Sequence, residues 1–379
     1  MMTPKMLHLL TAVLLRLTLA AGEDVSTLTR LEQSRLSNGA EGEDDGNRDW
    51  RAIIEDEDEV DWAQTIIVDN PPLASLQSTF QNIEVFNSDH FGKVFVLDDC
   101  LQLTERDAPH YNEMLAHVPV MEYLARRDGK DDDPMRALVV GGGDGYVVSE
   151  LLKYPQIGSI DHVELDEGVV NISQKFFPWA ENVWNDERVN LVIGDGAEYV
   201  KQSEKSYHVI IQDASDPFWY DEDGNIETLP SSVLFEESHF QSLFGLLKPN
   251  EGVLVMQAET YNIPSNLESI RKWGNILHEK GFEKPRYGSI SIGTYPTGQI
   301  GFFVAHASKI KDDTCVSSDD CEYKMDTSPE VNWNRVVAQY KQLTGETLYY
   351  HPRIHRSAFD LPLWVEEVIY GKDSVVLKA

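Results

Sequence analysis

Cysteine is scarce: Cys100, Cys315 and Cys321 are the only three in 379 residues, too few for a disulfide framework. Cys315 and Cys321 flank a polar, acidic loop and can pair if the chain enters an oxidising compartment, whereas Cys100 sits in a strand-rich stretch and is expected to be a buried thiol. Neither C-x-x-C nor H-E-x-x-H spacing occurs, so no metal centre is expected. Basic residues are also sparse, 32 Lys and Arg against 64 Asp and Glu, and the net charge of −32 argues against nucleic acid as a partner because phosphates are repelled. The same field draws a cationic small molecule inward, although much of the charge needs no role beyond solubility. Internal repeats are missing, and so is any apolar run suited to a stable membrane span. The nearest approach is Met6 to Ala20, preceded by Lys5, broken by Arg16 and followed by Ala21 and Gly22. Residues 1–22 thus have the layout of a secretory signal peptide, which leads to the endoplasmic reticulum, to secretion or to a plastid reached that way. Residues 23–62 are polar and acidic, with clusters at Glu41 to Asp45 and Glu55 to Glu59, and are expected to form a disordered extension.

What is present begins at Ala137. An apolar run to Val140 breaks into Gly141, Gly142, Gly143, Asp144 and Gly145, after which Val147, Val148, Leu151 and Leu152 recur at helical spacing. That is a strand, a tight glycine turn and a helix. A second strand, Ile160 to Val163, ends on Glu164, twenty positions after Asp144, where an acid suits the two hydroxyls of a ribose. Dinucleotide sites use G-x-G-x-x-G, but here Asp144 stands where a pyrophosphate would come closest. The ligand should therefore carry positive charge rather than phosphate, and a nucleoside with a sulfonium, an S-adenosyl compound, meets that requirement. A glycine turn with no ligand is the plain alternative.

Around this unit the chain alternates between strand and helix patterns. Thr65 to Leu103 reads as a small antiparallel meander with turn signals at Gly92 and Asp98–Asp99, followed by a helix from about Pro109 to Leu124 with Met114, Leu115, Val118 and Met121 inward. Residues 63–126 form this N-terminal β-domain plus helix, Asp128 to Pro134 is a charged linker, and residues 135–370 form the larger domain. There, strands are expected at Val189 to Ile193, Val209 to Gln212 and Gly252 to Gln257, helices at Glu236 to Leu247 and Leu267 to Lys280, and a closing pair of strands at Ile290 to Gly293 and Gln299 to Ala305. The fold class is α/β, a mostly parallel, doubly wound sheet whose functional groups gather at its carboxyl edge.

Asp144, Glu164, Asp195 and Asp213 each follow a strand. Glu164 can accept from ribose and Asp195 from an adenine amino group, which leaves Asp213 near the reacting centre, with Asp216 three residues on. Asp213 has a plainer alternative as a helix cap or turn former. An amine attacking carbon beside a sulfonium arrives protonated, with a pKa near that of lysine at about 10. A carboxylate can attract it, orient it and take its proton; the leaving group is a neutral thioether that needs no acid.

Several separated stretches, GGGDG at Gly141 to Gly145, Glu164 to Asp166, Gly194 to Gly196, DASDP at Asp213 to Pro217 and TYPTGQIGF at Thr294 to Phe302, together resemble the polyamine aminopropyltransferases, spermidine synthase in particular. The likeness runs from about Thr65 to Pro362 and includes VLDDCLQLTERD, Tyr111 to Met114 and the tail Tyr349 to Pro362. It implies a small N-terminal antiparallel β-domain on a Rossmann-like, S-adenosylmethionine-dependent methyltransferase-type domain, assembled as a homodimer or homotetramer and usually cytoplasmic. It implies no cofactor, but a co-substrate, decarboxylated S-adenosylmethionine, whose aminopropyl group passes to a polyamine. Carried over by position, Gln81, Asn112, Asp144, Glu164, Asp195 and Gly196 hold the nucleoside and its arm, and Gln102 lies near the sulfonium. Asp213 is the proton acceptor, helped by Tyr111 and Tyr295, which have an alternative as packing aromatics, while Asp216, Gln257 and Glu259 bind the acceptor's ammonium groups. Asn112 replaces the family's usual histidine or glutamine, Phe218 to Leu234 is longer than the usual loop, and Tyr261 to Pro264 lacks the usual tryptophan. Putrescine is the expected acceptor. Spermine or thermospermine formation, methyl transfer from S-adenosylmethionine and a non-catalytic polyamine sensor are the alternatives.

Overall fold

The structure, a computed structural model, describes residues 50–57, 60, 62–127, 133–220, 226–307 and 331–371. The signal-like segment, the acidic extension up to residue 49, part of the linker, and Cys315 with Cys321 lie outside the described residues. Six strands come first: β1 (Trp50–Glu57), β2 (Trp62–Asp69), β3 (Ala74–Gln77), β4 (Asn82–Ser88), β5 (Gly92–Leu97) and β6 (Cys100–Thr104). β1 and β2 form an antiparallel pair, and β3 to β6 form the expected meander. The extension therefore ends earlier than its charge pattern implies. Ala52 and Ile53 interrupt the charged run and are buried, and Ile53 packs with Ile66, Val68, Phe86, Val94 and Val96, which gives β1 an apolar reason to pair. Cys100 is also corrected: it opens β6 straight after Asp98 and Asp99, both left-handed at φ +48° and +67°, and this tight turn leaves it exposed rather than buried.

Helix α1 (Ala108–Arg126) buries Met114, Leu115, Val118 and Met121 as expected, but 16 of its 19 residues are buried, so it is enclosed nearly all round rather than on one face. It lies on one face of a seven-stranded sheet, between that sheet and the C-terminal segment. The sheet and its connections follow in order: β7 (Met135–Gly141), α2 (Tyr146–Leu151), β8 (Ile157–Glu164), α3 (Glu167–Phe176), β9 (Val189–Ile193), α4 (Gly196–Gln202) and β10 (Val209–Asp213). A hairpin of β11 (Phe218–Tyr220) and β12 (Ile226–Thr228) then precedes α5 (Glu237–Leu246), β13 (Val253–Gln257), α6 (Pro264–Glu279), β14 (Phe282–Ser291) and β15 (Gln299–Ala307). Three short helices close the chain: α7 (Trp333–Tyr340), α8 (Pro352–Ser357) and α9 (Leu363–Tyr370).

Strand order is β14-β15-β13-β10-β7-β8-β9, with β13, β10, β7, β8 and β9 parallel and β15 antiparallel to both neighbours. This is the Rossmann-like methyltransferase-type sheet with an antiparallel N-terminal β-domain. Alternation along the strands makes two cores. Ala137, Val139, Val209, Ile211, Val253 and Val255 face α1 and α2, while Leu138, Val140, Ile210, Leu254 and Met256 face Phe240, Leu243, Ile270 and Leu277 of α5 and α6. β14 is longer than the expected Ile290 to Gly293. Lys284, Pro285 and Arg286 hide its start from an apolar pattern, and the ladder shifts register between Glu283 and Arg286. Among the described residues, no helix is long and apolar enough to cross a membrane.

Candidate active site

The carboxyl ends of β7, β8, β10 and β13 converge, and the glycine turn after β7 is what lets them do so. Gly141 has φ +79°, and a Cβ there would lie 2.0 Å from the Asp213 carbonyl oxygen, which also accepts from the Gly142 amide at 2.9 Å. A Cβ on Gly143 would meet the Glu164 carboxyl at 2.8 Å. These glycines thus admit the acids themselves, not only a ligand. His162 and two tryptophans brace the turn from outside. The His162 Nε2–H donates to Gly141 O at 2.8 Å, its Nδ1 accepts from Trp184 Nε1 at 2.9 Å, and Trp179 Nε1 donates to Asp144 O at 3.0 Å. Burial holds His162 down at about 4, so it stays neutral.

Asp213 ends β10, and its Oδ1 accepts from Tyr111 Oη of α1 at 2.8 Å. Its carboxyl is pushed upward by desolvation, and so is that of Asp144, by desolvation and then by Asp213 itself. The Tyr111 hydroxyl is also raised, by burial and then by Asp213, with smaller contributions from Asp144 and Asp216, so the four groups share one region. Asp144 Oδ1 accepts from the Tyr146 amide at 2.8 Å at the start of α2. Glu164, buried at the end of β8, accepts from the Asp166 amide at 2.9 Å and is raised to about 7, burial being the main cause.

A second acidic group lies beyond Asp213. Gln257 Nε2 donates to Asp216 Oδ1 at 3.0 Å and to Glu259 Oε1 at 3.2 Å, and Tyr295 Oη donates to Glu259 Oε2 at 2.7 Å. Glu259 is buried and raised well above its ordinary value by that burial and then by Asp216. Gln257 Oε1 is buried with no hydrogen-bond partner among the described residues. Two acid groups with no cationic side chain paired to them among the described residues therefore flank the tyrosine-bound Asp213.

Residues 108–314 match the spermine/spermidine synthase domain, and residues 61–105 the spermidine synthase tetramerisation domain. The chain belongs to the spermine/spermidine synthase family. It is an enzyme of the spermidine synthase type. A polyamine aminopropyltransferase from Leptospira biflexa is 33% identical over 79% of this chain and 91% of that protein. Putrescine N-methyltransferase 1 from Nicotiana tabacum is 32% identical over 77% of this chain and 70% of that protein. A crystal structure of spermidine synthase in complex with the transition state analogue AdoDATO superposes with a TM-score of 0.64 at 25% identity, covering 81% of this chain and 91% of that one.

Within this family member, the remaining expected site residues fall unevenly. Gln81 reaches across from the β-domain, its Nε2 donating to Asp166 Oδ2 at 3.0 Å. Gly196 starts α4 so close to β7 that a Cβ would lie 2.5 Å from Val140 Cγ1. Asp195 is exposed and caps α4, its Oδ1 accepting from Ala197 N at 2.8 Å and Glu198 N at 3.1 Å. The capping role considered for Asp213 thus belongs to Asp195. Asn112 turns back along its own helix to donate to Ala108 O at 2.9 Å, leaving a buried Oδ1 with no partner among the described residues. Gln102 is not bonded to the acids among the described residues; it is exposed on β6 and its Nε2 donates to Cys100 O at 3.4 Å.

Sequence reasoning missed Asp166 and Ser78 as site residues. Asp166 Oδ2 also accepts from Ser78 Oγ at 2.6 Å, and its Oδ1 caps α3 through the Gly168 amide at 2.8 Å. The β-domain thereby holds the residue whose backbone orients Glu164. An Asp one turn ahead of an apolar-periodic helix was a readable cap signal; Ser78, 88 positions away, had none. Among the described residues, no group of three His, Cys, Asp or Glu is arranged to hold a metal ion.

Proposed function

We propose that the enzyme transfers the aminopropyl group of decarboxylated S-adenosylmethionine to a polyamine, with putrescine as acceptor, giving spermidine and 5′-methylthioadenosine. The observation that carries this reading is the set of acids on both sides of Asp213 that have no cationic side chain paired with them among the described residues. On one side Glu164 takes the ribose hydroxyls, Asp195 and Gly196 border the adenine, and Asp144 takes the ammonium of the aminopropyl arm. On the other, Asp216 and Glu259, linked by Gln257 and Tyr295, take the far ammonium of the acceptor. Asp213, oriented by Tyr111, accepts a proton from the near ammonium. The free amine attacks the methylene next to sulfur, the C–S bond breaks, and its electron pair leaves with the neutral thioether. Desolvation makes Asp144, Asp213, Glu164 and Glu259 resist charge unless a cation arrives, which strengthens the site's preference for cations.

The tobacco relative keeps a second reading in view, methyl transfer from S-adenosylmethionine. Its 294 matched residues exceed the stretch from Ala108 to Ala379, so the match extends into the β-domain, and that domain's presence does not discriminate. Asp144 does favour one donor. A methionyl carboxylate would meet the Asp144 and Asp213 carboxyls, whereas the decarboxylated arm brings only an ammonium. Assembly through residues 61–105, which match the tetramerisation domain, is part of the same proposal. The test is to incubate the purified chain with either donor and a panel of diamines and triamines and identify products by mass. An aminopropylated diamine is expected; methylated product alone, or none, overturns the reading.

A further inference from the structure

Glu259 is a non-glycine residue with a left-handed backbone, φ +24°, a strained conformation that persists only where its surroundings over-determine it. Those surroundings are specific. The Glu259 carbonyl oxygen accepts two hydrogen bonds, from Gly301 N at 3.1 Å and from Tyr287 Oη at 2.7 Å. Tyr287 is fully buried on β14, and its hydroxyl is set in turn by Gln299 Nε2 at 3.1 Å. Gln299 Oε1 accepts from Thr260 Oγ1 at 2.7 Å and from the Tyr261 amide at 3.1 Å, so it holds the two residues that follow Glu259. Gly301 is required for the same arrangement: a Cβ there would sit 2.0 Å from Tyr287 Oη.

We infer that Tyr287, fixed by Gln299 and admitted by Gly301, is a positioning residue that holds the strained Glu259 backbone so that its carboxylate faces Asp216 and the acceptor amine. Tyr287 itself touches no substrate, since its hydroxyl is occupied by a backbone carbonyl and a glutamine amide. Released from that clamp, the Glu259 peptide relaxes toward an ordinary conformation and the carboxylate swings off the line through Gln257 and Tyr295. The inference explains why the segment from Thr294 to Phe302 carries a glutamine and a glycine at those two places, and it rests on the reading of Glu259 as an acceptor-binding group.

The test is Tyr287→Phe, which removes one hydroxyl and keeps the buried ring. The KM for the acceptor is expected to rise about tenfold, the scale of one lost buried hydrogen bond, with kcat changed by less than about threefold and 5′-methylthioadenosine affinity unchanged. In a Glu259→Gln background the same change should add less than about twofold, because the group being positioned is already impaired. Gln299→Met, which frees the tyrosine hydroxyl without removing it, should show the same pattern at smaller amplitude. An acceptor KM within twofold of the parent, an equal rise in both backgrounds, or a parallel loss of 5′-methylthioadenosine affinity overturns the inference. If the parent chain makes no aminopropylated product, the functional reading has failed; putrescine calorimetry on parent and Tyr287→Phe then decides the positioning claim, and equal affinities would overturn it.

Discussion

Asp213 and Glu122 are carboxylates served by the two ends of one helix, α1, and their surroundings drive them in opposite directions. Burial pushes Glu122 up, but Arg286 Nη2 lies 2.6 Å from both its oxygens, and His306 and His355 donate from 2.7 Å and 3.0 Å, so it is held well below the ordinary carboxylate range. Among the described residues Asp213 has the Tyr111 hydroxyl alone against desolvation, and it is raised. One acid is answered by the Arg286 guanidinium and two histidine donors, joining α1, β14, β15 and α8. The other, with Asp144, Glu164 and Glu259, is left wanting a cation. Buried charge of the first kind builds a structure, and acids of the second kind are the ones proposed to meet a substrate cation.

The sharpest way to break that contrast is Asp213→Asn. Product formation should fall by about 10²–10⁴-fold while thermal stability is unchanged or higher, since a desolvated acid has been replaced by a neutral isostere. Activity within a few-fold of the parent would remove Asp213 from its role. Arg286→Met should do the reverse, costing about 3–5 kcal/mol in denaturant unfolding by stranding Glu122. A loss below 1 kcal/mol would show that the histidines alone suffice.

The two regions also titrate with opposite signs. Glu122 is lowered in the folded state, so its contribution is present above the unfolded value and lost as pH falls. His306 and His355 are lowered by burial, so the unfolded chain takes up their protons first, and stability declines further below about pH 6.5. Glu164, raised to about 7, and the raised Asp144 and Asp213 favour the fold while protonated and oppose it as pH rises through neutrality. Ligand-free protein should therefore lose thermal stability on both sides of mildly acidic pH, and putrescine should restore it on the alkaline side only. Protection that is equal at both ends would contradict the assignment. Ser78→Ala should give the smallest effect, a roughly threefold loss of 5′-methylthioadenosine affinity with acceptor KM unmoved, because it acts on Glu164 only through Asp166.

The acids at the sheet edge were far more legible in the sequence than Glu122. Acids at strand ends are marked by where short continuous apolar runs stop, and Glu164 and Asp213 end β8 and β10 as those runs imply. Glu122, Arg286, His306 and His355 are up to 233 residues apart and sit on apolar faces with no local signature, so nothing short of the packed fold brings them together. Tyr287 was invisible for a related reason: it lies in the part of β14 where Lys284 and Pro285 mask the strand. Asp195 shows the converse, a strand-end acid whose geometry is that of a helix cap. Chain position found the edge of the sheet; only partners distinguish an acid that waits from one that caps.

Burial raises Asp213, Asp144, Glu164 and Glu259, so cations that arrive beside them should displace protons. Calorimetry of putrescine binding near neutral pH, with 5′-methylthioadenosine present and repeated in buffers of different ionisation enthalpy, counts those protons directly. The account predicts a net release of protons to the buffer on binding. Tight binding with no proton exchanged, or with uptake, would contradict it.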